Sequence, residues 1–301
     1  MTEATPIAVI VASCGRPREL GALVARLRSD GPAPVRIVLS VCDEAALPPP
    51  SALPRGDDLH VIVGRRGSCE QRNAALDALD GTAGLVVFFD DDYVPARGAL
   101  AGISATFAAC PELVGCEGVV LADGAAGAAI EEVRALELVR RHERRTHVGD
   151  APRIERGLKG LYGCNMAFRA SAVATLRFDE RLPLYAWQED VDFSWRACGG
   201  DPLRLGSSSA FAGVHRGVKS GRVSGVRFGY SQIANPLYLM GKGTMERRFG
   251  LRLAARNLLS NLVRSARPEP WVDRRGRLRG NLHALRDLLA GRLDPGRVLD
   301  L

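Results

Sequence analysis

Three consecutive aspartates, Asp90, Asp91 and Asp92, follow an apolar run at residues 85–89. The run is long and bulky enough for a strand buried on both faces, and the carboxylates must lie beyond its end because burying unpaired charge is costly. Ligands of an open α/β sheet bind just outside the carboxyl ends of its strands, and hard divalent cations prefer oxygen ligands. The pattern therefore predicts a metal site here, with a solvated acidic turn or a helix N-terminus as the alternative.

Other polar side chains follow the neighbouring predicted strands. Because the carboxyl ends of parallel strands lie at one edge of a sheet, we expect Ser13, Asp43, Arg65, Arg66 and Arg72 to gather beside the three aspartates. Arginines beside cation-binding carboxylates form a site for a diphosphate, although an arginine after a strand, taken singly, is more often a solvated surface charge. The chain has no GxxxxGK[ST] motif and no GxGxxG after its first strand, which argues against a P-loop kinase and a dinucleotide enzyme. We interpret the group as a nucleotide-diphosphate site in which Asp43 accepts hydrogen bonds from the base or ribose.

A second acidic cluster, Glu189, Asp190 and Asp192, stands at the predicted start of a helix, just after Trp187. Negative charge is favoured in the first turn of a helix, so simple helix capping is one interpretation. The other is a general base beside a bound sugar, because removing a proton from a hydroxyl requires a carboxylate within hydrogen-bond reach. The indole of Trp187 offers an aromatic face for the sugar ring.

The elements that must position these residues alternate along the chain. Apolar runs predict strands at 7–11, 35–41, 59–63, 85–89, 114–121 and 161–169. Helical spacing predicts helices at 18–29, 70–79, 96–110, 131–146, 246–265 and 281–289, with a mobile loop at 207–227 and a basic turn at 273–280. This alternation predicts an α/β fold with a mostly parallel central sheet flanked by helices.

Composition places the chain among globular proteins. It has 301 residues, of which 46% are hydrophobic and 25% charged, and its first apolar run is far shorter than the ~20 residues of a membrane span. The N-terminus lacks a basic region followed by an apolar stretch, so we expect no signal peptide. Seven scattered cysteines then indicate reduced thiols in a cytoplasmic protein.

The net charge of +7 is concentrated near the C-terminus. Residues 241–301 carry 14 Lys and Arg against 6 Asp and Glu, whereas residues 1–240 carry 27 against 28. A basic amphipathic helix at 246–265 predicts either a helical cap with solvated arginines or peripheral contact with an anionic membrane, where a lipid-linked acceptor would be found. We expect no nucleic-acid partner.

The order and spacing of the motifs resemble the inverting family-2 glycosyltransferases with the GT-A fold. The resemblance covers roughly residues 5–220 and rests on residues 7–13 (IAVIVAS), 67–73 (GSCEQRN), 88–92 (FFDDD), 163–169 (GCNMAFR), 178–180 (FDE), 189–192 (EDVD) and 214–215 (VH). It implies a Rossmann-like GT-A nucleotide-sugar-binding and catalytic domain at 1–240. The basic helical extension would then occupy 241–301.

The resemblance also implies roles for individual residues. Asp190 would be the catalytic base; Ser13, Asp43, Arg72, Asp90 and Asp91 would bind the nucleotide sugar; Asp92 and His215 would bind Mn or Mg; and Trp187, Glu189 and Asn165 would contact the acceptor or sugar. The implied reaction moves a sugar, with inversion, from a nucleotide-diphosphate sugar (UDP being the commonest) to a hydroxyl of a saccharide or lipid-linked acceptor, in polysaccharide or glycolipid biosynthesis.

Three further expectations complete the sequence-based interpretation. The glycine- and serine-rich loop at 214–225 contains His215, Arg216, Lys219 and Arg222, and we expect it to close over the diphosphate when the donor binds. A nucleotide-sugar-binding module without catalysis is an alternative function. A nucleotidyltransferase is another, because such enzymes use a similar sheet; they would release pyrophosphate instead of a nucleoside diphosphate.

Overall fold

The structure, a computed structural model, describes residues 5–30, 34, 36–53, 56–146, 150–220 and 223–301. Three of the sequence-based predictions therefore fall in part outside the described residues. They are the N-terminus at 1–4, the start of the second strand at Val35, and Arg222 in the predicted closing loop.

The strands of the described part of the chain form one sheet. They are Ile7–Ser13 (β1), Arg36–Val41 (β2), Leu59–Val63 (β3), Leu85–Asp90 (β4), Tyr93–Pro95 (β5), Gly115–Asp123 (β6), Ile154–Arg156 (β7), Asn165–Arg169 (β8) and Leu205–His215 (β9). Their order is β3-β2-β1-β4-β8-β6-β9-β5, with β7 paired to β9. The pairings from β3 to β4 are parallel, whereas β8 runs antiparallel to both β4 and β6. The predicted α/β fold is confirmed, and its sheet is mixed.

The helices cover both faces of this sheet and form most of the C-terminal part. They are Pro17–Ser29 (α1), Ser68–Asp77 (α2), Ala99–Ala109 (α3), Glu132–Glu143 (α4), Ala170–Val173 (α5), Glu189–Ala197 (α6), Gly225–Lys242 (α7), Arg247–Arg264 (α8) and Arg274–Leu289 (α9). Short 3-10 helices lie at Glu44–Ala46, Pro202–Arg204 and Pro295–Asp300. Among the described residues, no helix is both long enough and apolar enough to cross a membrane.

The alternation of side chains along the central strands builds two cores. Odd-numbered residues of β1 and β4, such as Val9 and Val87, pack with Leu23 of α1. The alternate residues, such as Phe88, pack on the other face with Phe193 of α6. Because both faces are covered, these strands are apolar at nearly every position, which is why they could be recognised in the sequence.

Two pairings bring the candidate functional residues together. β4 ends at Asp90, and the chain returns as β5 after only two further residues. β5 pairs antiparallel with β9, and Tyr93 lies opposite His215. The strand β9 therefore delivers His215 to the three aspartates at the carboxyl end of β4.

Three predicted elements are corrected by the structure. Residues 207–215, predicted as part of a mobile loop, belong to β9, which carries small residues because it lies between close neighbours: a Cβ on Gly213 would lie 2.4 Å from Tyr93 Cζ. The predicted basic turn at 273–280 is the first half of α9, capped by the side chain of Asp273. The helix α7, which was not predicted, extends across the expected domain boundary at 240/241. The division into 1–240 and 241–301 itself stays a prediction.

The prediction that all cysteines are reduced is also corrected. Cys14 and Cys42 form a disulfide, with their Cα atoms 5.5 Å apart. They follow the last residue pair of the β1–β2 ladder, Ser13 and Val41, so the parallel pairing places them side by side. The five other cysteines are free and buried.

Candidate active site

A cleft of about 1010 Å³ lies between the sheet and the C-terminal helices. Charged side chains from the sheet, α2 and α6 line one part of it: Arg72, Asp90, Glu117, Glu189, Asp190 and His215. Aromatic side chains line the helical part: Tyr185, Trp187, Phe228, Phe249 and Trp271. Asp90 at the end of β4 and Asp190 of α6 therefore share one cleft, which the sequence-based interpretation requires.

Asp90, Asp92 and His215 form a group suited to a divalent cation. One ligand atom from each lies within 4.8 Å of the others, and His215 Nε2 is 3.6 Å from Asp90 Oδ2 and 3.4 Å from Asp92 Oδ1. Asp92 Oδ1 is buried and accepts no hydrogen bond from the described residues. An unpartnered buried carboxylate oxygen beside an imidazole nitrogen is the donor set that Mn²⁺ or Mg²⁺ would complete. The residues present therefore fit a metal.

The imidazole of His215 is held in place through its other nitrogen. His215 Nδ1 is 2.9 Å from Asp123 Oδ1 and 3.0 Å from the hydroxyl of Tyr162. Such contacts fix the ring orientation of a metal-binding histidine. Burial opposes protonation of His215, but its contacts with the carboxylates of Asp123 and Asp92 and the charge of Asp90 raise its pKa to about 10. The surrounding carboxylates thus favour a positive charge at this position.

Asp91 has different partners from its two neighbours. Its Oδ2 accepts a 2.6 Å hydrogen bond from Ser13, and its Oδ1 pairs with Arg16 at 2.7 Å. Burial raises the pKa of Asp91 to about 7, although Arg16 opposes this shift. Neither Ser13 nor Asp91 is among the side chains that line the cleft. Their assignment to the nucleotide sugar stays a prediction, and in the structure they anchor the loop after β1.

Arg16 also holds the segment that follows β9. Its guanidinium donates hydrogen bonds to the carbonyl oxygens of Val218 and Ser220, each at 2.9 Å. The amide of Val218 donates to Asp92 Oδ2 at 2.7 Å, and Lys219 donates to the carbonyl oxygen of Gly124. The described part of the predicted closing loop therefore lies against Asp92, and Lys219 lines the cleft. Its movement on donor binding stays a prediction.

Helix α6 places both Asp190 and the more deeply buried Glu189 at the cleft. Asp190 is half-buried; its Oδ2 accepts from the Gly163 amide at 2.9 Å and its Oδ1 from the Val191 amide at 2.8 Å. Burial raises the pKa of Asp190, even though these amide contacts and Arg72 act in the opposite direction. A carboxylate with a raised pKa that faces a cleft is suited to accept a proton.

The buried guanidinium of Arg72 connects the two acidic clusters. It contacts Glu189 Oε1 at 2.8 Å and Asp90 Oδ1 at 3.1 Å. Burial and the charge of Asp190 raise the pKa of Glu189 to about 8, against the opposing effect of Arg72. Glu189 is thus engaged in positioning Arg72 in the structure, and its contact with the acceptor or sugar stays a prediction.

The remaining predicted site residues have distinct surroundings. Trp187 lines the cleft, and its carbonyl oxygen accepts from Asn235. Asp43 is exposed, does not line the cleft, and caps the 3-10 helix at Glu44–Ala46. Asn165 is fully buried outside the cleft and donates to the Tyr93 hydroxyl and a backbone carbonyl. The binding roles of Asp43 and Asn165 therefore stay predictions.

Sequence reasoning missed four residues of this site. Glu117 lines the cleft as a further carboxylate, Tyr162 and Asp123 orient His215, and Arg16 holds the segment after β9. Arg16 alone had a usable signal, because it follows the first strand in the same way as the predicted polar residues follow the others. The other three lie in β6 or just before β8, and only the pairing of these strands in the sheet brings them to the site.

Comparison with known proteins gave structural similarities only. No protein-family model and no curated protein matches the sequence. The crystal structure of S. aureus TarS 1–349 aligns with a TM-score of 0.51 at 13% identity over 97% of this chain and 89% of that chain. A longer S. aureus TarS structure gives 0.47 at 15% identity over 76% and 40% of the two chains. The mannosyltransferase PcManGT from Pyrobaculum calidifontis, in complex with GDP-Man and Mn²⁺, gives 0.49 at 15% identity over 99% and 86%.

These similarities bear on the fold alone. At 13% identity, the alignment with the TarS 1–349 fragment indicates a shared overall architecture. Activity has to be argued from the side chains of the cleft.

Proposed function

We propose that this protein is a metal-dependent, inverting glycosyltransferase that moves a sugar from a nucleotide-diphosphate sugar to an acceptor hydroxyl. One observation carries the proposal: two members of the group suited to a cation, Asp90 and His215, line the same cleft as Asp190. A solvated acidic turn would not bury an unpartnered oxygen of Asp92, and helix capping would not require Asp190 to line a cleft.

In the proposed reaction, Asp190 accepts the proton of the acceptor hydroxyl. The hydroxyl oxygen forms a bond to the anomeric carbon while the bond from that carbon to the diphosphate oxygen breaks on the opposite side, which inverts the configuration. The amides of Gly163 and Val191 orient the Asp190 carboxylate before the proton arrives. The products are the glycosylated acceptor and a nucleoside diphosphate.

We assign the charged part of the cleft, near the end of β4, to binding of the donor. Mn²⁺ or Mg²⁺ held by Asp90, Asp92 and His215 would neutralise charge on the leaving diphosphate. Arg72 is fixed by Glu189 and Asp90, so it adds a preset positive charge beside the diphosphate position. By resemblance to the family-2 enzymes we assign UDP as the first donor nucleotide to test.

Calorimetry with Mn²⁺ and nucleoside diphosphates tests the donor site. We expect binding that requires the metal and that Asp92→Asn weakens at least tenfold, as expected for the loss of a charged ligand. Asp57→Asn, which alters an exposed acid before β3 at the opposite edge of the sheet, is the matched control and should bind normally. Equal affinity for Asp92→Asn and Asp57→Asn would contradict the assignment.

Product analysis tests the reaction. Incubation with a panel of nucleotide sugars and Mn²⁺ should release a nucleoside diphosphate. Release of pyrophosphate would indicate a nucleotidyltransferase instead. Metal-dependent binding without turnover of any donor, in the presence of mixed hydroxyl acceptors, would indicate a binding module.

A further inference from the structure

The helix α8 exposes the face that carries most of its large apolar residues and buries the opposite face. Its buried residues are Gly250, Leu253, Ala254 and Asn261. Four large aliphatic residues are exposed instead: Leu251 by 56%, Leu259 by 61%, Leu262 by 56% and Val263 by 65%. Most of the apolar stripe that the sequence shows therefore faces outward.

A buried polar network fixes this orientation. The Asn261 amide donates to Gln232 Oε1 at 2.8 Å and to Asn281 Oδ1 at 2.9 Å, and its oxygen accepts from Arg274 at 3.1 Å. Turning α8 to bury its leucines would break these hydrogen bonds and leave several buried polar groups unpaired, which is unfavourable. The exposed apolar face is thus a stable property of the folded chain.

The charge of α8 identifies the partner of this face. Arg247–Arg264 contains five arginines and no acidic residue. Arg248, Arg252 and Arg256 are exposed on the same side as the leucines. A second copy of the chain would place arginines against arginines, which is unfavourable. An anionic bilayer would bury the leucines beneath its headgroups. The arginines, with their long aliphatic stems, would extend to the membrane surface and pair with the anionic headgroups.

The aromatic part of the cleft opens beside this face. Phe249 lies in the first turn of α8 and Trp271 precedes α9; they are 47% and 44% exposed, respectively, and both line the cleft that contains Asp190. Phe228 extends the aromatic lining inward through its edge-on contact with Trp187 at 5.9 Å between ring centroids. Trp and Phe side chains with one exposed edge are typical of the membrane interface.

We propose that α8 lies in the headgroup region of an anionic bilayer, and that the acceptor is a lipid-anchored hydroxyl compound that reaches Asp190 past Phe249 and Trp271. The acceptor class rests on the proposed glycosyltransferase function, whereas bilayer docking does not. A bilayer-anchored acceptor would keep its apolar part against the aromatic lining while its hydroxyl meets the base.

Flotation with phosphatidylcholine vesicles, with and without phosphatidylglycerol, tests the docking. We expect binding only to the anionic vesicles, with weaker binding at higher salt. The double variant Leu259→Gln and Leu262→Gln should lose about tenfold or more, since burying one leucine accounts for about that factor. Leu203→Gln, in the 3-10 helix at Pro202–Arg204, changes an equally exposed leucine outside this face and should bind normally.

Two results would overturn the docking. One is vesicle binding that the double variant retains, with circular dichroism confirming that both variants are folded. The other is a wild-type dimer in light scattering that the double variant converts to a monomer, because the exposed face would then be a contact between copies.

Fluorescence quenching by brominated anionic lipids tests the orientation of the cleft. The chain has three tryptophans, and Trp271 is the one beside α8 with a large exposed surface. Trp271→Phe should remove most of the quenching, whereas Trp195→Phe should not. Absence of quenching in the wild-type protein bound to the vesicles would show that the cleft opening faces away from the lipid.

Alkyl glycosides of increasing chain length serve as acceptor probes. Release of nucleoside diphosphate from the donor should rise with chain length in the presence of anionic vesicles. Release that does not rise, including none, overturns the acceptor class. If the wild-type protein does not float with anionic vesicles but binds nucleotide with metal, this inference alone is removed. If the wild-type protein floats but does not bind nucleotide with metal, the proposed enzymatic function is removed instead.

Discussion

Replacement of Asp190 by Asn separates the chemistry of the cleft from its structure. The two carboxylate oxygens accept backbone hydrogen bonds of 2.9 Å from Gly163 and 2.8 Å from Val191. An amide has one acceptor oxygen, so its NH₂ group must face one of these two N–H donors. One unsatisfied buried donor costs about 1–3 kcal/mol, which corresponds to a decrease of about 2–5 °C in melting temperature for a chain of this size. The variant should therefore remain folded.

The expected effect on turnover is much larger. A general base contributes about 10²–10⁴-fold, so Asp190→Asn should lower kcat by that factor while the affinity for a nucleoside diphosphate with Mn²⁺ changes little. Donor turnover and calorimetry measure the two quantities. Glu117→Gln is the matched control, because Glu117 is a half-buried carboxylate that also lines the cleft but has no role in the proposed reaction. A kcat for Asp190→Asn within about tenfold of wild type, or a larger loss in Glu117→Gln, would refute the assignment of the base.

Three further predictions concern the residues around the base. Asp192→Asn should destabilise the protein by about 1.5–3 kcal/mol in chemical denaturation, because the fully buried Asp192 carboxylate loses its charged contacts with Lys242 at 2.9 Å and Arg196 at 2.8 Å; an unchanged denaturation midpoint would contradict this. Asn73→Ala should cost about 2–4 kcal/mol, since it leaves the buried N–H and C=O of Phe178 unpaired, and an unchanged denaturation midpoint would be the contrary result. The raised pKa of Glu189, about 8, means that the folded state retains this proton at a pH where the unfolded state has lost it. The melting temperature of wild type relative to Glu189→Gln should therefore fall as pH rises from about 5 to 8, and a constant difference would contradict the shift.

The first half of the sheet could be predicted because its strands are buried on both faces. β1, β2 and β4 are apolar at nearly every position, so their ends and the polar residues that follow them are visible in the sequence. Asp90 was expected at the ligand-binding edge because it ends an apolar strand, and it lines the cleft. Asp190 was expected in the same cleft from the resemblance to the family-2 glycosyltransferases, and it also lines the cleft. The predicted strand at 59–63 is β3, as the structure has it.

The second half could not be predicted because its elements depend on distant neighbours. β9 consists largely of Ser, Gly and Ala, which is typical of a loop, and only its place between β6 and β5 makes small side chains necessary. Periodicity predicted α8 as an amphipathic helix, but a period cannot tell which face is buried; the hydrogen bonds of Asn261 determine that. The Cys14–Cys42 disulfide joins residues separated by 28 positions, and only the register of β1 and β2 places them together.

The acids of α6 explain why the base is held by both halves of the molecule. Glu189 pairs with Arg72 and through it with Asp90 at the end of β4. Asp192, on the far side of Asp190 in sequence, accepts from Thr244 at 2.7 Å and pairs with Lys242, which joins it to the segment between α7 and α8. Because Asp190 stands between these two anchors, its position depends on the sheet and on the C-terminal helices together. The same helices supply the aromatic lining of the cleft, so the part of the chain that contacts the acceptor in our proposal also fixes the residue that would deprotonate it.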